Sequence, residues 1–559
     1  MNLLPPTKNE IISTLKTLKN GKASNDLPAE FFKYAVTSEG LIMELESLLK
    51  IIWQTQQVPT SWGHSKLIAL WKGAAKGSSK DPSTYRGLQV GSSLCKIMVI
   101  IILNRLKDWY DHQLLDQQQG FRRGRGTADG IYITKRIQQI SEKMQKPVFL
   151  LFVDLSAAFD HVVRKWLFES IYQRFPQDVK PNLFEILEAL YSKTTTSLAQ
   201  NQDDIFELLL GVRQGGPESP PLYNLYMDYV MRVYMKLCEE NNIKFLQLKY
   251  RIRSTATSRE ERSTQYQGNF TMDWCGYADD LELVFESMSD LEKGLSLLDE
   301  TFCRFHLKIN ATKTKTMILN FQCLVKQGSV DQSYPKTIAK LNGQSIENVE
   351  VFRYLGNDVK YDQPSTGDAE IDLKIAVAQN KYNQMSKRLQ NRKIYLETRV
   401  YLLNTMVRSR LTYSCQTCNI NLHQQQRIQS TYVTMLRRMI RRGFERKVDE
   451  NGDKTYEYVL SNEDVLEICK TENVLEFIRK QQENYLGHIA RHNNTSMVKR
   501  LLFNNNKNFK RGRPAKTLED YVLNGRSADQ FYKEALKKRS KDMVGHGSNR
   551  SKQASAGKS

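Results

Sequence analysis

The sequence has no long hydrophobic run. The best candidate, Ile97 to Leu103, is bounded by Lys96 and Asn104 and is far shorter than the roughly 20 apolar residues of a membrane span. The first residues, MNLLPPTKNE, lack the charged start and apolar stretch of a secretory signal. Eight cysteines lie mostly singly along 559 residues, which is typical of a reduced compartment rather than a disulfide framework. We therefore expect an intracellular protein that does not enter a membrane.

A nucleotide-hydrolysing P-loop is also missing. The loop KGAAKGSSKDPSTYRG at 72–87 is rich in Gly, Ser and Lys. It does not follow the pattern of Gly, four residues and then Gly-Lys-Ser/Thr opening a helix. The last residues, Gly557 to Ser559, fail as well, because Lys552 stands where the first glycine should be. This excludes P-loop chemistry.

What the sequence does have is positive charge. It contains 82 Lys+Arg and 61 Asp+Glu, a formal net charge of +21, and 14 − 5 = +9 of this lies in residues 501–559. Hydrophobic residues make up 40% of the chain, enough for folded cores. Such a basic surface attracts polyanions, either nucleic acid or an anionic membrane.

Acidic residues stand at the ends of two strand-like segments. A continuous apolar run at 147–153 predicts a buried strand ending at Asp154, and apolar residues on both sides of Asp279 and Asp280 predict a hairpin with these acids at its tip. Carboxylates that meet at one point repel each other unless a cation joins them. Carboxylates without His or Cys favour two Mg²⁺ ions over Zn²⁺. For an isolated Asp-Asp pair, an ordinary solvated turn is the alternative.

The segments around these acids resemble the reverse transcriptases, and among them the enzymes of non-LTR (LINE-type) retrotransposons. Tyr277-Ala-Asp-Asp280 is similar to the core polymerase motif of that family. Other segments match in order over roughly residues 10 to 420. They are the fingers segments (85–87 and 119–127), the first aspartate motif (152–160), the nucleotide-site segment (211–220), the lysine motif (307–314) and the primer grip (352–356).

The resemblance implies an α/β (α+β) right-hand polymerase. Apolar residues every three or four positions after residue 365 agree with a helical thumb. The expected divisions are an N-terminal extension with the start of the fingers (1–65), fingers (66–147), a palm with an antiparallel sheet and catalytic hairpin (148–360, with a helical part at 160–205 and an insertion at 244–267), a helical thumb (361–425), a basic, mainly helical nucleic-acid-binding extension (426–540) and a disordered tail (541–559).

The resemblance also assigns chemical roles. Asp154 and Asp279 would bridge two Mg²⁺ ions, for which Mn²⁺ could substitute, with the carbonyl of Leu155 and the carboxylate of Asp280 as further ligands. Lys313 would be the general acid near the leaving pyrophosphate. An acid beside the ligands is the alternative role for Asp280, and a solvated lysine is the alternative for Lys313.

Other residues would hold the substrates. Lys72 and Arg86 would bind the triphosphate, and Phe159 would exclude a 2′-hydroxyl by bulk, with a core aromatic as its alternative. The backbone at Gln214 and Gly215 would approach the nucleotide closely. Tyr354, Leu355 and Gly356 would form the primer grip. The basic residues expected to contact nucleic acid are Arg122, Arg123, Arg125, Arg437, Arg438, Arg441, Arg442, Lys510, Arg511 and Arg513.

The expected activity is RNA-directed DNA polymerisation from dNTPs, in which a DNA primer at a nicked target is extended along template RNA in the nucleus. A catalytically inactive nucleic-acid-binding protein from a decayed or domesticated element is the alternative. Because the motifs begin close to Met1, we expect an endonuclease in trans or in a missing part of the chain. Cys415 and Cys418, with His488 and His492, have ligand-like spacings, but 69 residues separate the two pairs and zinc is not expected.

Overall fold

The computed structural model describes residues 2–73, 77–176, 181–199, 201–252, 266–329, 332–362, 367–440, 444–448, 454–458, 460–504, 518–523, 526–528 and 530–536. Its helices are α1 (Lys8–Thr17), α2 (Ala29–Ala35), α3 (Glu39–Thr55), α4 (Ser93–Gln113), α5 (Thr127–Met144), α6 (Arg164–Tyr172), α7 (Asn182–Ser192), α8 (Ser219–Glu240), α9 (Met288–Arg304), α10 (Gln322–Lys326), α11 (Asp368–Leu389), α12 (Leu396–Leu403), α13 (Ser409–Leu411), α14 (Leu422–Ile440), α15 (Asn462–Ile468), α16 (Val474–Arg491), α17 (Met497–Leu502) and α18 (Leu518–Leu523).

The strands alternate with these helices along the chain. They are β1 (His64–Trp71), β2 (Tyr85–Val90), β3 (Val148–Val153), β4 (Thr195–Leu198), β5 (Asn201–Glu207), β6 (Leu246–Ile252), β7 (Tyr266–Met272), β8 (Trp274–Tyr277), β9 (Asp280–Phe285), β10 (Lys315–Leu319), β11 (Thr337–Leu341), β12 (Gln344–Asn348), β13 (Val351–Tyr354), β14 (Asn357–Lys360), β15 (Phe444–Val448) and β16 (Lys454–Tyr458). The mixed architecture agrees with the predicted α/β class. Within the described residues, no helix is both long and apolar enough to cross a membrane.

A central sheet of six strands has the order β11-β12-β10-β3-β9-β8. All its neighbouring strands are antiparallel except β10 and β12. Strand β3 is buried on both faces. Phe149, Leu151 and Val153 pack into one core, while Leu150 and Phe152 pack into another core that includes residues of α5, α16 and α17. Burial on both faces explains the unbroken apolar run at 147–153, and the predicted strand is confirmed.

An outer sheet has the order β2-β1-β4-β5. Strand β1 runs antiparallel to β2 and parallel to β4. The part predicted to be helical, 160–205, is helical only as far as Ser192 and then enters this sheet through β4 and β5. The β-branched run Thr194 to Thr196 favours a strand there, so the predicted helix was too long.

The segment predicted as an insertion, 244–267, contributes to a hairpin in its described part. Strands β6 and β7 are antiparallel, with Leu246 opposite Met272 and Ile252 opposite Tyr266. Residues of both strands pack into the same core as α17. Residues 253–265 lie outside the described residues.

A third core joins the helices after residue 365. Residues of α11, α12, α14, α15 and α16 bury their apolar sides together, among them Ile371, Tyr382, Leu403 and Leu436. The helical pattern predicted after residue 365 is confirmed by α11 and the stretch from α12 to α13. The C-terminal tail at 541–559 lies outside the described residues.

Candidate active site

The predicted acids meet at one edge of the central sheet. Strands β3 and β9 are antiparallel neighbours, and Val153 at the end of β3 lies opposite Leu281 near the start of β9. Asp154 therefore leaves β3 beside the turn that carries Asp279 and Asp280. The turn is tight, because Tyr277 pairs directly with Asp280. The predicted hairpin is confirmed as β8 and β9.

The hairpin turn needs support, because Ala278 has a left-handed backbone with φ of 60°. The amide side chain of Gln118, which is 1% exposed, provides it. The backbone N–H of Ala278 donates to Gln118 Oε1 at 2.9 Å, and Gln118 Nε2 donates to the carbonyl of Ala278 at 3.3 Å. Sequence reasoning missed Gln118, because its partners lie about 160 residues away and its neighbours Gln117 and Gln119 are identical to it in type.

Burial and neighbouring negative charge raise the pKa of both turn carboxyls. Burial, followed by the negative charge of Asp154, raises the pKa of Asp279. Burial and the charges of Asp279 and Asp154 raise the pKa of Asp280 to about 6, although part of this residue reaches solvent. Lys313 lowers the pKa of both groups and Arg86 lowers that of Asp279, but neither cation offsets the crowding. The sheet edge thus carries an excess of negative charge.

Lys313 is held close to the first aspartate. Its Nζ lies 3.1 Å from Asp154 Oδ1, and its side chain is 63% exposed. The backbone N–H of Asn310 donates to the carbonyl of Asp154 at 2.8 Å, and the N–H of Asp154 donates to Thr314 Oγ1 at 3.3 Å. These bonds attach the lysine segment to the end of β3.

The oxygen donors at this edge suit a hard divalent cation. In the described part of the chain, no donor contacts the carbonyl oxygen of Leu155, whereas that of Asp154 accepts the Asn310 bond. Described His, Cys, Asp and Glu side chains do not form any group of three or more arranged to hold a metal ion. The ammonium of Lys313 instead stands beside Asp154. The donor set of carboxylates and a free carbonyl still fits Mg²⁺ or Mn²⁺ in chemical type, because both prefer oxygen ligands.

Of the two predicted triphosphate ligands, Arg86 is better placed. It lies on β2 and is exposed, and its guanidinium has no hydrogen-bond or ion-pair partner among the described residues. It is near enough to Asp279 to lower the pKa of that carboxyl. Lys72 instead donates from Nζ to the carbonyl of Ser83 at 2.9 Å, across its own loop.

Phe159 is half-buried and follows Asp154 by five residues. Its carbonyl accepts the N–H of Val212 at 2.9 Å, and its ring lies against Tyr223. Gln214 donates through Nε2 to both carboxylate oxygens of Asp160, at 2.9 and 3.0 Å. These contacts bring the first aspartate motif and the nucleotide-site segment together.

The backbone at Gly215 lies too close to strand β2 for a side chain. Its φ is 122°, and a Cβ there would lie 2.8 Å from the carbonyl oxygen of Gln89 on β2. The N–H of Gln89 donates to the carbonyl of Gln214 at 2.7 Å. The observed close approach is thus between this loop and the outer sheet.

The segment predicted as the primer grip forms the turn between β13 and β14. Leu355 and Gly356 both have positive φ, 48° and 78°. Tyr354 is 3% exposed and packs on Phe152 of β3, and the hydroxyl of Tyr413 donates to the carbonyl of Leu355 at 2.8 Å. Tyr354 is therefore a core residue, and the turn itself is the part of this segment that can face a ligand.

Two arginines predicted to contact nucleic acid are buried instead. Arg122 donates to Asp111 Oδ1 at 2.9 Å and to the carbonyls of Asp111, Leu115 and Gln118, and it is 7% exposed. Arg437, 6% exposed, donates to Asn462 Oδ1 and to the carbonyl of Leu460. Neither can reach a phosphate, so these two predictions were wrong.

The other predicted basic contacts differ in availability. Arg123 and Arg438 are exposed, whereas Arg125 is ion-paired with Asp116 at 2.5 Å. The remaining predicted contacts lie outside the described residues: Arg441, Arg442, Lys510, Arg511 and Arg513.

The cysteine and histidine pairs have separate protein partners. Cys418 is buried and accepts a bond from Lys135 Nζ at 3.0 Å. His488 Nε2 lies 2.6 Å from the carbonyl of Gly124 and 3.0 Å from His492 Nε2. These contacts give Cys418 and both histidines partners within the protein.

Comparison with known proteins gives a consistent result. Residues 76–359, half of the chain, match the family described as reverse transcriptase (RNA-dependent DNA polymerase). The chain is 24% identical over 378 residues to the Retrovirus-related Pol polyprotein from type-1 retrotransposable element R2 of Nasonia vitripennis, covering 67% of this chain and 33% of that protein. It is 28% identical over 189 residues to the Probable RNA-directed DNA polymerase from transposon BS of Drosophila melanogaster, covering 33% and 20%.

A third relative is the Retrovirus-related Pol polyprotein from type-2 retrotransposable element R2DM of Drosophila melanogaster. It is 26% identical over 286 residues, which are 50% of this chain and 24% of that protein. The chain thus aligns with between a fifth and a third of the length of these relatives.

Proposed function

The chain belongs to the reverse transcriptase (RNA-dependent DNA polymerase) family, and we propose that it is the RNA-directed DNA polymerase of a non-LTR retrotransposon. Its substrates would be dNTPs, a template RNA and the 3′ end of a DNA primer. One observation carries the proposal: adjacent antiparallel strands bring Asp154 beside Asp279 and Asp280, with Lys313 3.1 Å from Asp154. This arrangement lies inside the region that matches the family.

Members of this family generally use divalent metal ions. In this chain Asp154, Asp279 and the carbonyl of Leu155 would hold them, with Asp280 at the rim, and we propose two Mg²⁺ ions or Mn²⁺ in their place. When bound, such ions activate the primer hydroxyl and stabilise the leaving pyrophosphate. The excess of negative charge at the sheet edge supports this assignment, because a cation would relieve it.

The chain's own residues would act around the transferred phosphoryl group. Lys313 would donate a proton from Nζ to the leaving pyrophosphate, which requires it to move from Asp154 once a cation binds there. Arg86 would bind the triphosphate, since its guanidinium has no protein partner among the described residues and its charge lowers the pKa of the nearby Asp279. Lys72 would need to leave the carbonyl of Ser83 to assist. Phe159 would lie against the sugar.

The architecture supports a hand-like division of labour. We propose that the outer sheet and α5 belong to the fingers, that the central sheet is the palm, and that α11 to α13 form the thumb. The turn at Leu355 and Gly356 would meet the primer, and the exposed arginines Arg123 and Arg438 would contact the nucleic-acid backbone. Target-primed synthesis in the nucleus, with a nick made by an endonuclease in trans or elsewhere in a longer chain, belongs to the same proposal.

The test is incorporation of labelled dTTP on poly(rA) primed with oligo(dT), with Mg²⁺, beside Asp279→Asn. We expect incorporation by the wild type and none by the variant, while both bind the primed template. If neither protein incorporates dTTP and both bind tightly, the chain is a nucleic-acid-binding protein and the proposed activity fails.

A further inference from the structure

Tyr223 lies directly beneath Phe159. It sits in the first turns of α8 and is 0% exposed. The two rings are stacked, with centroids 4.4 Å apart and planes inclined by only 9°. Since Phe159 is only half-buried, Tyr223 covers one face of a ring whose other surroundings include solvent.

The backbone of Phe159 is already fixed by other contacts. Its carbonyl accepts the N–H of Val212, and the N–H of Asp160 donates to the carbonyl of Ala157 at 2.9 Å, which closes a turn. A fixed backbone still leaves the side-chain torsions of a half-buried ring several staggered positions. Among the stacked and tilted ring contacts of the described residues, Phe159 has one, and it is with Tyr223. Phe159 also packs against the apolar core, and Tyr223 supplies the flat face on which its ring is stacked.

The hydroxyl of Tyr223 is buried near the turn acids. Burial, and then the charges of Asp279 and Asp280, raise the pKa of this hydroxyl well above its usual value. The hydroxyl has no hydrogen-bond partner among the described residues, although it is fully buried. A phenylalanine would make the same stack without burying an unpaired hydroxyl. The ring of Tyr223 thus contacts Phe159, and the charges of the turn acids act on its hydroxyl.

The helix that carries Tyr223 is itself tied to the catalytic hairpin. Nδ2 of Asn224, the next residue, donates to the carbonyl of Gly120 at 2.8 Å. Gly120 belongs to the segment that holds the hairpin, because a Cβ on it would lie 2.5 Å from the N of Ala278. The position of the Tyr223 ring is therefore set by the same framework that positions Asp279.

We propose that Tyr223 is a positioning residue that holds the Phe159 ring against the sugar of the incoming nucleotide, and that it thereby sets discrimination between deoxyribonucleotides and ribonucleotides. The inference rests on the proposed polymerase function. It assigns a specificity role to a residue that makes no contact with the nucleotide itself.

The experiment is single-nucleotide addition of dGTP or GTP opposite C in an RNA template, measured as the ratio of the two kcat/KM values. Tyr223→Leu removes the flat support for Phe159. We expect the ratio of kcat/KM for dGTP to kcat/KM for GTP to fall by about 10-fold or more, chiefly because kcat/KM for GTP rises. Tyr223→Phe keeps the ring, so it should retain the wild-type ratio within about twofold. Tyr226→Leu is the matched control, because Tyr226 is a fully buried tyrosine on the same helix that packs on Phe305 instead.

A double variant separates support of Phe159 from general damage to the core. In a Phe159→Val background, Tyr223→Leu should change the ratio no further, since the supported ring is gone. If Tyr223→Leu fails to fold, Tyr223→Met replaces it in both backgrounds with the same expectation. A ratio that stays at the wild-type value in the Leu or Met variant, while Phe159→Val lowers it, overturns the inference and leaves the polymerase function standing. If the wild type adds neither nucleotide, the proposed function fails instead.

Discussion

Two clusters of carboxylates and lysines among the described residues differ in their balance of charge. At the edge of the central sheet, Asp154, Asp279 and Asp280 share one exposed lysine, and burial, together with the charges of neighbouring acids, raises the pKa of both turn acids. In the second place, where α5 meets α11, the single carboxylate of Glu370 lies between the ammonium groups of Lys135 and Lys374, at 3.0 and 3.2 Å.

The second cluster is complete within the protein. Burial opposes ionisation of Glu370, but the two lysines outweigh it and lower the pKa of the carboxyl. Lys374 also donates to Asn357 Oδ1 and Ser414 Oγ, at 3.2 and 3.0 Å. Glu370, Lys135 and Lys374 thus form a buried ion-pair cluster that joins α5 to α11, which we call the joint. The acids at the sheet edge, in contrast, outnumber the nearby cations and need a cation from outside the protein. The comparison predicts opposite consequences for mutations in the two clusters.

The largest expected effect is on activity at the sheet edge. Asp279→Asn keeps the size of the side chain but removes one of the carboxylates proposed to hold the metal ions, so dTTP incorporation should fall by about 10³-fold or more. Circular dichroism and the denaturation midpoint should show an intact fold. A variant that keeps more than a tenth of the wild-type rate would remove Asp279 from the site.

The second effect is on stability at the joint. Glu370→Gln leaves Lys135 and Lys374 buried without a counter-charge, so the free energy of unfolding should fall by about 3–5 kcal/mol in a urea titration. The control is Glu397→Gln, which breaks the exposed pair with Lys470 and should cost less than about 1 kcal/mol. Equal losses in the two variants would contradict the assignment of the joint.

A smaller effect separates two lysines only two residues apart. Lys313→Ala should lower kcat by about 100-fold with little change in the KM for dNTP, because a general acid acts in the transition state. Lys315 pairs with Glu347 at 2.9 Å instead of with Asp154, so Lys315→Ala should keep nearly all activity. Pre-steady-state incorporation measures both. Similar losses in the two variants would mean that only overall charge matters.

The smallest effect is a pH dependence of stability. The pKa of Asp280 is raised to about 6 in the folded state from a usual 3.8, so the folded protein binds this proton more tightly than the unfolded chain does. The stability that Asp280 contributes in its protonated form is therefore lost as pH rises from 3.8 to about 6. Asp280→Asn should therefore gain stability relative to the wild type from pH 4 to pH 6 and keep a constant advantage above. Denaturation midpoints at pH 4.5, 5.5 and 7 measure the difference. A constant difference across this range would show that Asp280 is not crowded.

Sequence reasoning was most successful where a function depends on short local patterns. The apolar run before Asp154 and the alternation around Asp279 each predict a strand end, and antiparallel pairing of β3 with β9 then places both acids together. Sequence reasoning failed for arginine, which can either contact nucleic acid at the surface or form hydrogen bonds inside the protein. Arg122 and Arg437 sit in basic segments that look like nucleic-acid contacts, yet both are bonded inside the protein.

Long-range partners account for most of what the sequence could not show. Gln118 supports Ala278 from 160 residues away, and Tyr223 supports Phe159 from another motif. Glu370 and Lys135 are 235 residues apart and carry no local pattern that distinguishes them from solvated charges. Such pairings depend on packing between elements, which periodicity and composition do not specify.

The most direct test of the account is metal binding at the sheet edge, followed by the electron paramagnetic resonance signal of free Mn²⁺. The protein would be titrated on an RNA template with a 3′-deoxy-terminated DNA primer and the next dNTP, so that no chemistry occurs. We predict that the wild type and Glu397→Gln remove Mn²⁺ from solution, and that Asp154→Asn and Asp279→Asn remove markedly less. Equal Mn²⁺ binding by all four proteins would contradict the claim that the excess negative charge at this edge exists to hold divalent cations.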